Sequence, residues 1–198
     1  MQKVNIMNSY KKSIFLFETI KICDGIAQNL DFHILRAKSF TKGALGFDFG
    51  QVLNCKQKGI FRAKVIYSED GEFVGVEYFP YEMRKFYEFK LVEINFDYSK
   101  KYLNRSQIER AKNGFSEIIM LKNSLITDTS IANLAIFDGK KWLTPKTPLL
   151  NGTTRARLLE SGFLSQEDIS VTMLLNAKKL GIMNAMMGFV ELGEFKIY

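Results

Sequence analysis

In the stretch SIFLFETIKIC, residues 13–23, Ile14, Leu16, Ile20 and Ile22 fall on one side of an extended chain and Phe15, Phe17, Thr19 and Lys21 on the other. That alternation predicts a β-strand. After the turn residues Asp24-Gly25, LDFHILRAKSFTKGALG has the spacing of a helix, with Asp31 as N-cap and Gly43 or Gly46 as its end. FRAKVIYSEDGEFVGVEYFPY reads as two strands joined at Glu69-Asp70-Gly71, a strong hairpin signal, and FYEFKLVEINF as a further strand. Strands therefore dominate up to about Phe96, with one helix.

The pattern changes from there. SQIERAKNGFSEIIML predicts a helix stopped at Asn113-Gly114 and then a strand, and LITDTSIANLAIFDGKKWLTP predicts more strands about Asp138-Gly139. PLLNGTTRARLLESG has the grammar of a helix with an open, polar beginning. SQEDI offers a capping box from Ser165 to Asp168, LLNAKKLG a short helix, and IMNAMMGFVELGEFKIY a closing strand region. There is no internal repeat and no low-complexity segment. Strands and helices segregated in two halves of different pattern predict an α+β protein of two domains, residues 1–97 and 98–198, dividing near Tyr98.

The 198 residues, 46% of them hydrophobic, suffice for a real core in one large domain or two small ones. A formal charge of +7 invites a nucleic-acid partner, but the basic residues come in scattered pairs, Lys11-Lys12, Lys100-Lys101, Lys140-Lys141 and Lys178-Lys179, mixed with acids. The bias suits a small anionic ligand, and no nucleic acid is expected. Cys23 and Cys55 lie far apart without paired spacing, which argues against a disulfide framework or a zinc site and for a reducing compartment. The apolar run from Ser13 to Phe17 is too short for a signal segment and is ended by Glu18. No window approaches the roughly 20 apolar residues of a membrane helix, so a soluble, cytoplasmic protein is expected.

A helix start leaves several N–H groups unpartnered and carries partial positive charge, so Gly152, Thr153 and Thr154 suit a phosphate; a threonine there would serve equally as a helix cap. His33 alone cannot supply a metal cluster or a catalytic triad and reads as a solvated or packing residue, so no metal is expected. General-base work then falls to a carboxylate or a lysine. Lys100 and Lys101, just ahead of the helix SQIERA, are equivalent on spacing alone.

Six segments in one order, LFETIKICDG, HILRAKSFTKGALGF, KYLNRSQIERA, LITDTSIANLAIFDGKKWLTP, LLNGTTRARLLESG and IMNAMMGFV, resemble in sequence and spacing the class IV pyridoxal-phosphate aminotransferase family, from about Phe15 to Val190. The family includes branched-chain and D-amino-acid aminotransferases and aminodeoxychorismate lyase. The resemblance implies a two-domain, fold-type IV architecture like that of D-amino-acid aminotransferase, with pyridoxal 5'-phosphate as cofactor. It implies that Gly152, Thr153 and Thr154, in the family's Gly-x-Thr-Arg loop, hold the cofactor phosphate together with Arg36, the arginine of a His-x-x-Arg pattern at His33–Arg36. Lys101, separated by Tyr102 from Leu103-Asn104-Arg105, becomes the lysine that bonds the cofactor, and Lys100 the bystander. The family's acid opposite the pyridine nitrogen lies in a Thr-Glu pattern ahead of Ala-Asn-Leu, here Thr127-Asp128 ahead of Ala132-Asn133-Leu134. Asp128 is a methylene shorter and reaches roughly 1.5 Å less far. Backbone N–H groups of the loop Asn184-Ala185-Met186 would face a substrate carboxylate, which makes Ala185 and Met186 the substrate-binding positions.

Thr19 matches a threonine that the lyase branch uses for proton relay, where branched-chain transaminases often have Gly. The short start, with fourteen residues before Phe15, is similar to lyase domains fused behind aminodeoxychorismate synthase. It implies a shortened N-terminal domain and a functional link to such a synthase. The expectation is a homodimeric aminodeoxychorismate lyase yielding 4-aminobenzoate and pyruvate for folate synthesis, with Lys101 and Thr19 catalytic. A class IV aminotransferase acting on branched-chain or D-amino acids is the alternative, and a non-catalytic relative that partners a synthase subunit is a third.

Overall fold

A computed structural model describes residues 14–198; Lys11-Lys12 and Ser13 lie outside the described residues. β1 (Phe15–Cys23) forms where the alternation predicts, and it pairs antiparallel along its length with β3 (Ile60–Ser68). β3 turns through Glu69-Asp70-Gly71 into β4 (Phe73–Pro80). A Cβ on Gly71, at φ +92°, would stand 2.4 Å from the Ala44 carbonyl oxygen, so this turn requires glycine. On the other side Asp24 and Gly25, both at positive φ, lead into the two-residue β2 (Ile26–Ala27), and the small sheet has the order β2-β1-β3-β4.

One face of this sheet buries Leu16, Ile20, Ile22, Val65 and Tyr67 against Ala37 and Phe40 of α1 (Leu30–Phe40). Each large aliphatic side chain so buried contributes about 1.5–3 kcal/mol. α1 begins at Asn29, in the left-handed conformation at φ 52°, and not at Asp31, which sits in its first turn. It ends at Thr41, ahead of both Gly43 and Gly46, because the Lys42 N–H is drawn to the Glu69 carbonyl of the hairpin at 2.9 Å. A four-residue α2 (Phe49–Val52) follows, capped by the Asp48 side chain, and the apolar pattern gives no sign of it.

β5 (Glu88–Glu93) joins the other sheet, pairing parallel with β6 (Ile118–Lys122). The chain thus passes from the small sheet to the large one between Pro80 and Glu88. Between these strands α3 (Ser106–Lys112) stops at Asn113 and Gly114, both at positive φ. β7 (Leu125–Thr129), β8 (Asn133–Phe137) and β9 (Trp142–Pro145) continue antiparallel; α4 (Thr153–Glu160) leads to β10 (Leu164–Glu167). α5 (Val171–Leu175) precedes β11 (Lys179–Asn184), β12 (Gly188–Leu192) and β13 (Lys196–Ile197). The sheet runs β10-β9-β8-β7-β6-β5-β13, with β11 paired to β8 and β12 to β11.

The predicted capping box does not form. Ser165 lies in β10, which pairs parallel with β9 and buries Leu164 against Ala135 and Met183. Ser170 caps α5 instead, its Oγ accepting the Met173 N–H at 3.2 Å, and the LLNAKKLG stretch is divided between α5 and β11.

The two sheets meet at Lys101. The Phe17 N–H donates to the Lys101 carbonyl at 3.0 Å and the Leu103 N–H to the Phe15 carbonyl at 2.8 Å, while Tyr102 bridges to Leu16. Tyr102 and Leu150 pack both on the small-sheet core and on a cluster of Tyr98, Ile108 and Leu149.

Candidate active site

A cavity of about 760 Å3 opens at this meeting point. Its wall includes Phe17 and Thr19 from β1, Arg36 from α1, Lys101, Asp128 from β7, Gly152 and Thr153 at the start of α4, and Ala185 and Met186 after β11. Of the cofactor, catalytic and substrate residues that the resemblance implies, Thr154 alone is not at this wall; it is buried in the first turn of α4.

Lys101 is half-buried, and its ammonium lies 4.9 Å from the centre of the Phe17 ring. Burial, reinforced by the charges of Arg36 and Arg105 and opposed by Glu18, lowers its pKa to about 7, so the amine is neutral part of the time near neutrality. Lys100 is held elsewhere: Glu69 takes its amine at 2.5 Å and that of Lys42 at 2.8 Å. The two lysines that spacing could not separate are separated by their partners.

Arg36 is buried beside Glu18, which has no exposure at all. Its Nε donates to Glu18 Oε1 at 2.9 Å and its Nη2 to Oε2, while Nη1 reaches the Asn151 carbonyl at 3.3 Å. His33 joins through Nδ1, 2.6 Å from Glu18 Oε2, and is therefore a buried, hydrogen-bonded residue rather than a solvated one. Burial alone would raise the Glu18 pKa, but Arg36 and His33 hold it down at about 2.

Asp128 is buried on the far wall. Asn133 Nδ2 donates to its Oδ1 at 2.5 Å and the Leu150 N–H to its Oδ2 at 2.8 Å. Burial outweighs these bonds and raises its pKa to about 7. A carboxylate offers about four lone-pair sites, so each oxygen keeps capacity for a cationic N–H arriving from the cavity.

α4 begins at Gly152 with no side-chain cap, so neither Thr153 nor Thr154 plays the capping role. A Cβ on Gly152 would stand 1.9 Å from Asn133 Oδ1, so glycine lets the helix start seat against the residue that holds Asp128. Arg155, next in the motif, is buried, its Nη2 donating to the Pro145 carbonyl at 2.7 Å, which ties α4 to β9. The result is an open helix start, its N–H groups free of side-chain caps, beside the Arg36 guanidinium: a site for a dianion.

After β11, Asn184 Oδ1 accepts the N–H groups of Met186 and Met187 at 2.9 and 3.0 Å. The Met186 N–H is thus engaged within the loop, and Ala185 is the position whose N–H that turn does not use. The wall also carries Arg62, stacked 4.7 Å over the Phe79 ring and with no carboxylate partner among the described residues, and Lys64, paired with Glu77 at 3.2 Å. Arg105 donates to the Ser130 carbonyl at 2.7 Å. Among the described residues no group of three or more His, Cys, Asp or Glu is arranged to hold a metal, and no helix is long and apolar enough to cross a membrane.

A lysine amine with a depressed pKa, an open helix start backed by an arginine, and a buried carboxylate across one cavity define an enzyme that bonds a phosphorylated carbonyl cofactor. The sequence pattern of the amino-transferase class IV family matches residues 100–195. The chain is 34% identical over 186 residues, 87% of its length and 98% of the other's, to an uncharacterized protein of Haemophilus influenzae. It is similar to the crystal structure of a candidate 4-amino-4-deoxychorismate lyase of Haemophilus somnus 129pt, with 31% identity, a TM-score of 0.77, and 88% of this chain and 97% of that one covered. A candidate amino-acid aminotransferase of Mesorhizobium loti shares the fold, with a TM-score of 0.81 at 21% identity over 93% of this chain and all (100%) of that one. The protein belongs to the class IV aminotransferase family and is a pyridoxal-phosphate enzyme of fold-type IV. Its residues fit that cofactor: the uncapped helix start, the Gly152 contact and the low-pKa amine are all at one cavity.

Three contributors escape a reading of the sequence. Asn133 enters the sequence reading only as part of the Ala-Asn-Leu pattern, with no role of its own, and Arg62 carries no local signal. Glu18 does carry one, since it interrupts the inward series Leu16, Ile20, Ile22, and a charge on the apolar side of a strand needs a buried partner.

Proposed function

We propose that the protein is an aminodeoxychorismate lyase, converting 4-amino-4-deoxychorismate to 4-aminobenzoate and pyruvate for folate synthesis. The observation that carries this reading is Thr19: it lines the cavity on the same face of β1 as Phe17, whose ring lies under the Lys101 ammonium. In the reaction one proton leaves the amine-bearing ring carbon, the C–O bond to the enolpyruvyl group breaks, the ring becomes aromatic, and the released enolpyruvate takes a proton to become pyruvate. Lys101 Nζ takes the first proton, and the Thr19 hydroxyl relays the second to the departing group. Pyridoxal phosphate, which Lys101 would hold in the resting enzyme and release to the substrate amine before acting as base, would supply the electron sink for the first proton loss. Arg36, Thr153, Thr154 and the N–H groups beyond Gly152 would bind its phosphate, and Asp128 would serve its pyridine nitrogen. Arg62, without a carboxylate partner among the described residues, supports an anionic substrate, and Ala185 and Met186 line the same cavity.

The same reading takes the protein as a cytoplasmic homodimer of two-domain protomers, residues 1–97 and 98–198, with a functional link to an aminodeoxychorismate synthase. Its test is chemical. Incubation with 4-amino-4-deoxychorismate is expected to give pyruvate and 4-aminobenzoate in equal amounts with no oxo-acid added, and Thr19→Val to slow release while the cofactor's visible spectrum stays intact. Amino transfer from branched-chain or D-amino acids to 2-oxoglutarate, without pyruvate release, would overturn the lyase reading in favour of an aminotransferase.

A further inference from the structure

We infer that Glu18 is a positioning residue for phosphate binding: its carboxylate fixes the Arg36 guanidinium at the cavity wall, so that affinity for a phosphate depends on a side chain that does not touch it. The inference rests on the reading of Arg36 and the start of α4 as the phosphate site.

The geometry is that of a clamp. Glu18 engages one edge of the guanidinium through Nε and Nη2, and Nη1 spans to the Asn151 carbonyl, immediately ahead of the Gly152 N-cap. A guanidinium has five N–H donors. Two go to Glu18 and one of the Nη1 pair to the Asn151 carbonyl, which leaves the second protons of Nη1 and Nη2 for an anion. His33 occupies Glu18 Oε2 from α1 at 2.6 Å, so the carboxylate is itself held on two sides. Stability does not account for the arrangement, because a buried ion pair is commonly worth no more than a well-packed apolar pair of the same volume. The clamp does remove the rotamer freedom of a long arginine before a ligand arrives, which lowers the cost of binding.

The cost of this arrangement is that Glu18 cancels part of the Arg36 charge. Orientation outweighs charge here because the fixed edge faces the helix start, where the N–H groups supply the remaining positive potential.

The full-length apoprotein, titrated with pyridoxal phosphate and separately with pyridoxal, gives a ratio of affinities that reports the phosphate contact alone. Glu18→Gln is expected to lower that ratio about tenfold or more through the phosphorylated ligand, with pyridoxal binding unchanged. His33→Gln, which perturbs the same carboxylate oxygen without touching Arg36, should leave the ratio within about twofold. Arg36→Gln should remove the preference for phosphate and make Glu18→Gln silent in the double variant. Loss of the ratio in Arg36→Gln but not in Glu18→Gln, or an equal loss for both ligands in Glu18→Gln, overturns the positioning role. An unchanged ratio in Arg36→Gln overturns the phosphate site itself, and the inference with it. If Glu18→Gln folds too poorly to titrate, Glu18→Asp keeps the charge but withdraws it by a methylene and is read in the same way.

Discussion

Asn133 Oδ1 stands where a side chain on residue 152 would have to be, 1.9 Å from the position of a Cβ on Gly152. The same amide, through Nδ2, holds Asp128 Oδ1 at 2.5 Å and the Leu150 carbonyl at 2.8 Å. The start of α4 and the acid of the far wall therefore share one side chain. Gly152→Ala should displace it and cost about 1–3 kcal/mol of stability, with cofactor affinity falling alongside. In an Asn133→Gly background most of that cost should vanish, leaving a coupling energy of about 1 kcal/mol or more in thermal melts. Additive effects of the two changes would show that this contact is not the constraint.

Lys101 should be the residue that bears the cofactor. Borohydride reduction and peptide mapping are expected to find the pyridoxyl group there and not on Lys100, whose amine Glu69 holds. In the apoprotein, acylation of Lys101 should rise with pH and be half-maximal near its pKa of about 7. The amine also binds its proton less readily in the folded protein than in the unfolded chain. Stability should therefore rise with pH between about 7 and the ordinary lysine value of 10.5, and Lys101→Met should remove that slope.

Asp128 has the opposite dependence. Its pKa is raised from 3.8 to about 7, so the folded state binds more protons in that window and the stability it contributes is lost as pH rises through it. An asparagine offers one acceptor oxygen to the two donors Asn133 and Leu150, at a cost of about 1–3 kcal/mol, but it has no charge to desolvate. The melting temperature of Asp128→Asn relative to the parent should thus be higher at pH 8 than at pH 5. A difference independent of pH would mean that Asp128 is not the group that titrates. Turnover should fall by at least tenfold with the cofactor retained, since an amide does not hold a proton on the pyridine nitrogen.

Ser170→Ala should destabilise the protein by about 1 kcal/mol, the usual worth of an N-cap, and Ser165→Ala by much less, which chemical denaturation resolves. This pair marks a limit of what sequence conveys. The SQEDI motif satisfies a local capping rule, but the same residues pair parallel with β9, and burial of Leu164 decides the outcome. Where the determinant was local, the sequence was readable: Glu69-Asp70-Gly71 specifies its hairpin, and Asn113-Gly114 ends α3 at left-handed backbone angles. The cavity residues followed from six motifs in order. The partners that set their chemistry did not, because Glu18 meets Arg36 and His33, and Asn133 meets Asp128 and the start of α4, only through tertiary folding.

The hydrogen bonds between Phe17 and the Lys101 carbonyl, and between Leu103 and the Phe15 carbonyl, splice the lysine's own backbone onto β1. The lysine backbone is therefore tied to the small sheet together with Thr19, while Arg36, bonded to both Glu18 and the Asn151 carbonyl, is tied to both sides. Asp128 and Thr153 travel with the large one. Any hinge motion between the sheets stretches or shortens the distance from Lys101 to Asp128 while leaving Lys101 and Thr19 in step, so a probe pair spanning the first two residues would read the opening of the cavity, and one on the second two would stay still.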